Sequence, residues 1–175
     1  QMLTQIGREG YGSDIDFAKA VVEATLIRTF NNVHRITIRG EAGVIKTNSF
    51  DEVPTSLRFY AGGDKSVRGF DYREISPTAE VIDPETGELI VDSIGGKYLA
   101  TSSVEYAYQV ADNWRVAAFV DAGTATNDTS TTLTYSVGPG VHWLSPIGPV
   151  RLYVARGFAP DENTWQLHIL LGPEL

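Results

Sequence analysis

Apolar and polar residues alternate with a period of two along most of this 175-residue chain. This alternation predicts β-strands, because successive side chains of a strand point to opposite faces of a sheet. An incomplete strand is predicted before Gly7, followed by about seven long strands at Phe17–Phe30, His34–Lys46, Lys97–Val110, Trp114–Gly123, Tyr135–Ser145, Val150–Phe158 and Thr164–Gly172. No run approaches the roughly 18 apolar residues of a membrane helix. The sequence therefore predicts an all-β antiparallel fold.

The connections between the predicted strands alternate between short and long. Short turns fall at 31–33, 110–113 and 145–149, and longer connections at 7–15, 47–96, 124–133 and 159–163. This asymmetry is typical of outer-membrane β-barrels. Four aromatic residues near the short-turn end would form an interfacial girdle: Tyr106, Tyr108, Trp114 and Trp143. A soluble β-sandwich binding module gives the same alternation and stays open as an alternative, which solubility without detergent would favour.

Composition argues against several classes of function. The net charge of −8 disfavours a nucleic-acid partner, since phosphate binding needs an excess of Lys and Arg. The chain has no cysteine, which excludes disulfides and thiolate metal sites, and its three histidines lack metal-ligand spacing. No GxSxG motif or comparable arrangement is present. We therefore expect no enzymatic activity, no metal and no cofactor.

One interruption, residues 47–96, is far longer than the usual connection between strands. It contains Val67-Arg68-Gly69-Phe70, where a guanidinium with five donors stands beside a glycine that permits close backbone approach. A buried guanidinium needs a carboxylate partner, and Asp121, on a later predicted strand, is the candidate. Within the same loop, residues 83–88 predict a mobile, exposed polar turn.

These segments carry a resemblance to a known family. The Val-Arg-Gly-Phe tip, the strand Phe119-Val120-Asp121-Ala122-Gly123, the strand 138–143 and the turn 145–149 resemble the outer-membrane β-barrel assembly superfamily, the BamA and TamA group. The last residues, 171–175, favour the TamA branch. The resemblance implies that residues 1–175 are the C-terminal half of a transmembrane β-barrel, with about seven or eight strands. It also implies that 47–96 is an extracellular loop and that the periplasmic POTRA domains are absent.

The resemblance assigns roles to individual residues. It implies that Val67, Arg68, Gly69 and Phe70 anchor the loop in the barrel lumen, and that Phe119, Asp121, Gly123 and Glu105 receive them, with Phe70 near Phe119. The chain departs from the pattern at three positions. His142 stands where arginine is usual, and Tyr153 stands where an acid is common, so the two changes would compensate each other. Pro139, inside a strand, would remove a ladder donor and produce a bulge or kink.

The implied function is assembly of outer-membrane β-barrel or autotransporter proteins in the bacterial outer membrane, with no enzymatic step. An incoming strand would pair with a weak barrel seam by β-augmentation. One side of this seam would be Trp165, Leu167, Ile169, Leu171 and Gly172. The implied partners are nascent outer-membrane proteins, outer-membrane lipid and, through the POTRA domains, a TamB-like periplasmic protein. The alternative within the superfamily is a two-partner secretion transporter. Open edges further predict that the chain self-associates as a dimer through its first and last strands.

Overall fold

The computed structural model describes residues 1–7, 16–82, 87–128, 133–146, 148–160 and 163–172. Ten strands lie in these parts of the chain: β1 (Met2–Gly7), β2 (Phe17–Phe30), β3 (His34–Thr47), β4 (Thr78–Ile82), β5 (Leu89–Ser93), β6 (Tyr98–Ala111), β7 (Trp114–Thr126), β8 (Thr134–Ser145), β9 (Gly148–Phe158) and β10 (Asn163–Leu171). Two short 3-10 turns, Phe50–Glu52 and Thr55–Leu57, follow β3. In the described residues no helix is long and apolar enough to cross a membrane.

Eight of the strands form one continuous antiparallel sheet in the order β1-β2-β3-β6-β7-β8-β9-β10. Each strand pairs with its neighbour in this order, and the long loop between β3 and β6 does not interrupt the sheet because those two strands pair directly, with Ile36 opposite Tyr106. The prediction of an all-β antiparallel fold is confirmed. The β-sandwich alternative is wrong, since a sandwich needs two large sheets packed face to face and the second sheet described here is only the pair β4–β5.

The predicted tight turn between β2 and β3 has the backbone conformation that its sequence favours. Asn31 and Asn32 have φ values of 49° and 59°, and Phe30 lies opposite His34 across the turn. Asparagine tolerates this left-handed region better than most residues. The two asparagines therefore fix the register of the β2–β3 hairpin.

The structure corrects some element boundaries. β7 continues to Thr126, three residues beyond the predicted end at Gly123. The loop 47–96, in which no strand was predicted, contains the hairpin β4–β5. Its five-residue strands are short and largely exposed, so period-two burial gave little signal there. Of the polar turn predicted at 83–88, residues 83–86 lie outside the described residues, and Glu88 is exposed.

Pro139 interrupts the pairing of β8 with β9 without shifting its register. Val137 pairs with Arg156 and Gly140 with Tyr153, so two residues stand between these pairs on each strand. A β-bulge would place an extra residue on one strand. Of the bulge or kink expected at Pro139, the unshifted register contradicts the bulge, and the interruption agrees with the missing donor of proline.

The two faces of the sheet differ in what they contact. On the outer face, apolar side chains stay exposed, for example Val104 at 50% and Val120 at 54%. The four predicted girdle aromatics share this face, and Trp114 stacks on Trp143 with ring centroids 5.8 Å apart. On the inner face, residues of β3, β6 and β7 pack against the loop 47–96 in one apolar cluster, whose buried members are Ile45, Val53, Phe59, Ala61, Val67, Phe70, Ile75, Leu99 and Ala125. An apolar outward face and a filled inner face suit a barrel wall in lipid.

Candidate functional site

Arg58 lies inside the loop 47–96 and connects segments of that loop to each other. Its guanidinium donates to the carbonyl oxygens of Val53 at 2.9 Å, Ile94 at 3.1 Å and Asp51 at 2.9 Å. Backbone bridges join Phe59 to Gly96 and Ala61 to Ile75. These hydrogen bonds restrain the segments of the loop that precede and follow its tip, residues 67–70. Sequence reasoning missed Arg58, because its partners are backbone carbonyls, which no side-chain motif marks.

At the loop tip, Arg68 is bound by Asp121 of β7. Nε donates to Oδ2 at 2.8 Å and Nη2 to Oδ1 at 2.8 Å, while the backbone N–H of Arg68 donates to Oδ2 at 3.0 Å. Arg68 is 1% exposed and Asp121 is fully buried. Such a bidentate pair fixes the orientation of both groups, because two parallel hydrogen bonds match the planar fork of the guanidinium.

Two residues of β6 complete the polar shell of Arg68. Nη1 donates to Glu105 Oε2 at 2.6 Å and Nη2 to Ser103 Oγ at 3.1 Å. Burial alone would lower the pKa of the Arg68 guanidinium, but hydrogen bonding and Coulombic attraction from Asp121 and Glu105 raise it above its ordinary value. The guanidinium therefore stays charged inside the sheet.

Aromatic rings cover the Arg68 guanidinium. Its Cζ atom lies 3.6 Å from the centroid of the Phe119 ring and 4.6 Å from that of Tyr153. The two rings meet edge to face with centroids 5.6 Å apart. Cation–π contacts of this kind are strongest where water is excluded, as it is here. Sequence reasoning connected Phe119 with the site but did not assign Tyr153 this contact.

The remaining residues of the loop motif contact other parts of the sheet. Gly123 leaves room for Val67, since a Cβ atom at 123 would lie 2.8 Å from Val67 Cγ2. Phe70 packs in the apolar cluster with Val67 and approaches Gly157 of β9. Phe119 belongs to a separate cluster with Tyr153 and Ala155. The expected contact of Phe70 with Phe119 is therefore wrong, because Arg68 and Tyr153 occupy the ring of Phe119.

The two departures from the family pattern contact each other. Tyr153 Oη lies 2.9 Å from His142 Nε2, and that nitrogen lies 3.5 Å from Glu105 Oε1. His142 is 2% exposed and Tyr153 is also 2% exposed. The pair thus extends the polar shell of Arg68 toward the short-turn end of the sheet. A tyrosine–histidine hydrogen bond stands where the resemblance implies an arginine and an acid.

The last strand reaches the loop tip through residues that the sequence did not single out. The N–H of Gly69 donates to His168 Nε2 at 3.3 Å, and the Thr164 hydroxyl donates to the carbonyl oxygen of Gly69. His168 Nδ1 also pairs with Asp64, earlier in the loop. These contacts join residues about a hundred positions apart, so only the tertiary structure reveals them.

The side chains that contact Arg68 form what we call the Arg68 cluster: Asp121, Glu105, Ser103, Phe119 and Tyr153. The residues predicted to form the seam do not lie in this cluster. Trp165, Leu167, Ile169 and Leu171 point to the outer face of β10 and are 61–77% exposed. Gly172 follows the strand with φ of 109°, and its N–H donates to the Pro149 carbonyl at 3.0 Å. Residues 173–175, which carry the expectation of the TamA branch, lie outside the described residues.

Comparison with known proteins agrees with this geometry. Residues 2–172 match the family model of the Omp85 superfamily domain. The chain belongs to the Omp85 superfamily.

Curated relatives of this Omp85 chain are outer membrane protein assembly factors named BamA. The protein of Nitratidesulfovibrio vulgaris is 34% identical over 91% of this chain, that of Neisseria meningitidis serogroup B is 29% identical over 92%, and that of Neorickettsia risticii is 30% identical over 88%. The alignments take in 20%, 24% and 21% of those proteins, so the chain spans between a fifth and a quarter of the length of these relatives.

Among solved structures, BamA from Haemophilus ducreyi lacking POTRA domains 1–3 superposes on this Omp85 chain with a TM-score of 0.71. The two are 25% identical, and the superposition covers 91% of this chain and 36% of that one. The sheet is therefore a BamA-like barrel wall. Its location is the bacterial outer membrane.

Proposed function

We propose that this chain is part of a factor that folds and inserts β-barrel proteins into the outer membrane, with no enzymatic step. The observation that carries the proposal is the position of β10 at the edge of the described sheet. Among the described strands β10 pairs with β9 alone, so its other edge offers unpaired backbone groups. An incoming strand can pair with such an edge by β-augmentation. The BamA relatives support the same role.

The outer face of β10 suits an edge that exchanges partners within lipid. Trp165, Leu167 and Ile169 are 61–65% exposed there, so the seam is apolar toward the membrane. An unpaired backbone is costly in lipid, which favours capture of a substrate strand over an open edge. In this proposal the Arg68 cluster keeps the loop docked on the inner face, and β10 receives the substrate at the edge.

The test uses the intact protein in lipid vesicles. An unfolded outer-membrane barrel protein is added, and its folding is followed by heat-modifiable migration on gels. We expect faster folding than in empty vesicles and loss of that acceleration with Asp121→Asn, which removes the negative charge of the ion pair and leaves the Arg68 cation. Equal folding rates in vesicles with and without the wild-type protein would refute the proposal.

A finer candidate is a TamA-like role in autotransporter assembly, with a TamB-like periplasmic partner bound through POTRA domains. The terminal Gly-Pro-Glu-Leu favours it, whereas the BamA relatives favour a general assembly factor. Affinity purification of the intact protein from its membranes distinguishes the two. Recovery of a large inner-membrane-anchored partner supports the TamA-like role, and recovery of nascent outer-membrane proteins without such a partner supports the BamA-like one. Secretion of a dedicated soluble substrate would instead indicate a two-partner transporter.

A further inference from the structure

Both backbone groups of Gly69 are held by the last strand. Its N–H donates to His168 Nε2 at 3.3 Å, and its carbonyl accepts from the Thr164 hydroxyl. Thr164 and His168 are four residues apart on β10 and face the loop, while the residues next to them face outward. The glycine of the loop tip therefore lies between two side chains of a single strand.

The tautomer of His168 follows from this contact. Because Nε2 accepts the Gly69 N–H, the ring proton lies on Nδ1, which faces Asp64 Oδ1. His168 thus accepts from one loop residue and donates to another. Both interactions are directional, so they fix the ring and the loop relative to each other. His168 is only 8% exposed, which shields its contact with Gly69 from water, whereas the Asp64 side chain is 46% exposed.

A glycine on β9 makes this approach possible. Gly157 pairs with Thr164 across the β9–β10 ladder. A Cβ atom at 157 would lie 2.6 Å from the Gly69 oxygen and 2.9 Å from Phe70 Cε2. No side chain fits between the strand and the loop, so the loop backbone reaches β10 only because residue 157 is glycine.

The loop tip consequently bridges two separate parts of the sheet. Arg68 attaches it to Glu105 of β6 and Asp121 of β7, which lie in the middle of the sheet. Gly69, the next residue, attaches it to β10, the edge strand with one described neighbour. Edge strands open more readily than central ones, and a bridge of this kind restrains that opening.

We propose that Thr164 and His168 are positioning residues that clasp the last strand to the loop tip, so that the loop and the seam strand open together. Releasing Arg68 from Asp121 loosens β10, and releasing Gly69 from β10 loosens the loop. The two effects have the same coupling free energy, because linkage between two sites is reciprocal. The contacts of the clasp do not depend on the proposed function. Its role does rest on that function: the clasp keeps the substrate-accepting strand in place until the loop moves.

The test measures amide hydrogen exchange in the intact protein in detergent, without substrate. Thr164→Val and His168→Leu remove the hydrogen bonds to Gly69 while keeping side-chain volume. We expect exchange over residues 62–70 to rise by roughly fivefold for Thr164→Val, the factor for one lost hydrogen bond, and by more for His168→Leu, which also loses the bond to Asp64. Thr164→Ser keeps the hydroxyl that donates to the Gly69 carbonyl, and His168→Gln keeps an acceptor for the Gly69 N–H. Both variants should show wild-type exchange. Thr29→Val, at an exposed threonine of β2, is the matched control and should change nothing in this segment.

The reciprocal arm changes the other end of the bridge. Asp121→Asn should raise exchange over residues 163–172, although residue 121 does not contact that strand. Unchanged exchange there, or equal exchange in Thr164→Val and Thr164→Ser, would overturn the clasp. The measurement needs no assembly activity. A failed clasp with intact substrate folding would leave the proposed function standing, and a confirmed clasp with no substrate folding would refute the proposed function alone.

Discussion

Arg68 and Asp121 form a bidentate ion pair with two N···O distances of 2.8 Å, and both side chains are buried. Removing one partner leaves the other charge buried without full compensation, which costs roughly 3–5 kcal/mol. Glu105 binds the same guanidinium and reduces this cost without replacing the fork geometry. We therefore expect this pair to keep the loop on the sheet.

The first prediction is that Arg68→Ala and Asp121→Asn undock the loop. Proteinase K should cleave within residues 57–77 of the intact protein faster than in the wild type. Arg68→Lys should not rescue, because an ammonium group cannot make the two parallel bonds to Asp121. Arg73→Ala is the control, since Arg73 is an exposed arginine of the same loop. Wild-type protection in both Arg68→Ala and Asp121→Asn would contradict loop anchoring by this pair.

The second prediction separates close approach from backbone strain at Gly69. Gly69 and Gly148 have φ values of 103° and 130°, so alanine is strained at both. A Cβ atom at 69 would also lie 2.8 Å from the Gly157 nitrogen, whereas at 148 nothing lies within 4 Å. Gly69→Ala should therefore expose the loop to proteinase K, and Gly148→Ala should leave it protected. Similar cleavage of the two variants would mean that strain alone matters.

Period-two alternation was enough to predict the sheet and most strand positions. It worked because the outer face meets lipid and the inner face meets a polar, loop-filled interior, so the two faces have different compositions from β6 to β10. It failed for β4 and β5, which lack a buried face of their own. Alternation of apolar and polar residues arises where the two faces of a strand meet different environments. An exposed hairpin meets solvent on both faces, so its sequence shows little alternation.

The candidate site was predictable only where chemistry requires a partner. A buried guanidinium needs a carboxylate, and this requirement selected Asp121, while the family resemblance added Glu105. The structure brings both acids to Arg68. Their role in assembly stays a prediction. The contact of Gly69 with His168 follows no such requirement, because a backbone N–H can donate to many kinds of acceptor. Long-range packing decides which strand each loop residue contacts, and local sequence does not record that packing. The wrong partner was assigned to Phe70 for this reason.

The third prediction concerns His142 and Tyr153, which meet at 2.9 Å beside Glu105. Tyr153→Phe keeps the ring near Arg68 and removes the hydroxyl, so it should lower the free energy of unfolding by about 1 kcal/mol. His142→Arg places a second cation near Arg68 and should destabilise more. Adding Tyr153→Glu to His142→Arg should recover part of the loss, because an acid then faces the new cation.

These stabilities can be compared by urea unfolding in detergent, read from the heat-modifiable band. The double variant matters most, since additivity is expected only for residues that do not interact. If His142→Arg with Tyr153→Glu is as unstable as the sum of the single changes, the two positions do not compensate each other.

The fourth prediction is that the 175-residue chain, isolated in detergent, self-associates through β1 and β10. Each of these strands has one described neighbour, so two edges are open. Closing eight strands on themselves leaves an interior just wide enough for side chains, and the loop 47–96 already fills the inner face. A symmetric pair closes both edges and gives roughly the 16 strands of a larger barrel, which can hold a loop.

Engineered cysteines test this pairing, because the chain contains none. Ile6→Cys in one preparation and Leu167→Cys in another place single thiols on the exposed side chains of β1 and β10, at positions 77% and 61% exposed. Mixed and oxidised, they should give a cross-linked heterodimer, which only an intermolecular seam can produce. Val104→Cys, on the outer face of β6 in mid-sheet, should not cross-link to Leu167→Cys. A monomeric mass by light scattering would rule the pairing out. Closure of a single chain on itself is not the expected result, because an eight-stranded barrel has no room for the docked loop.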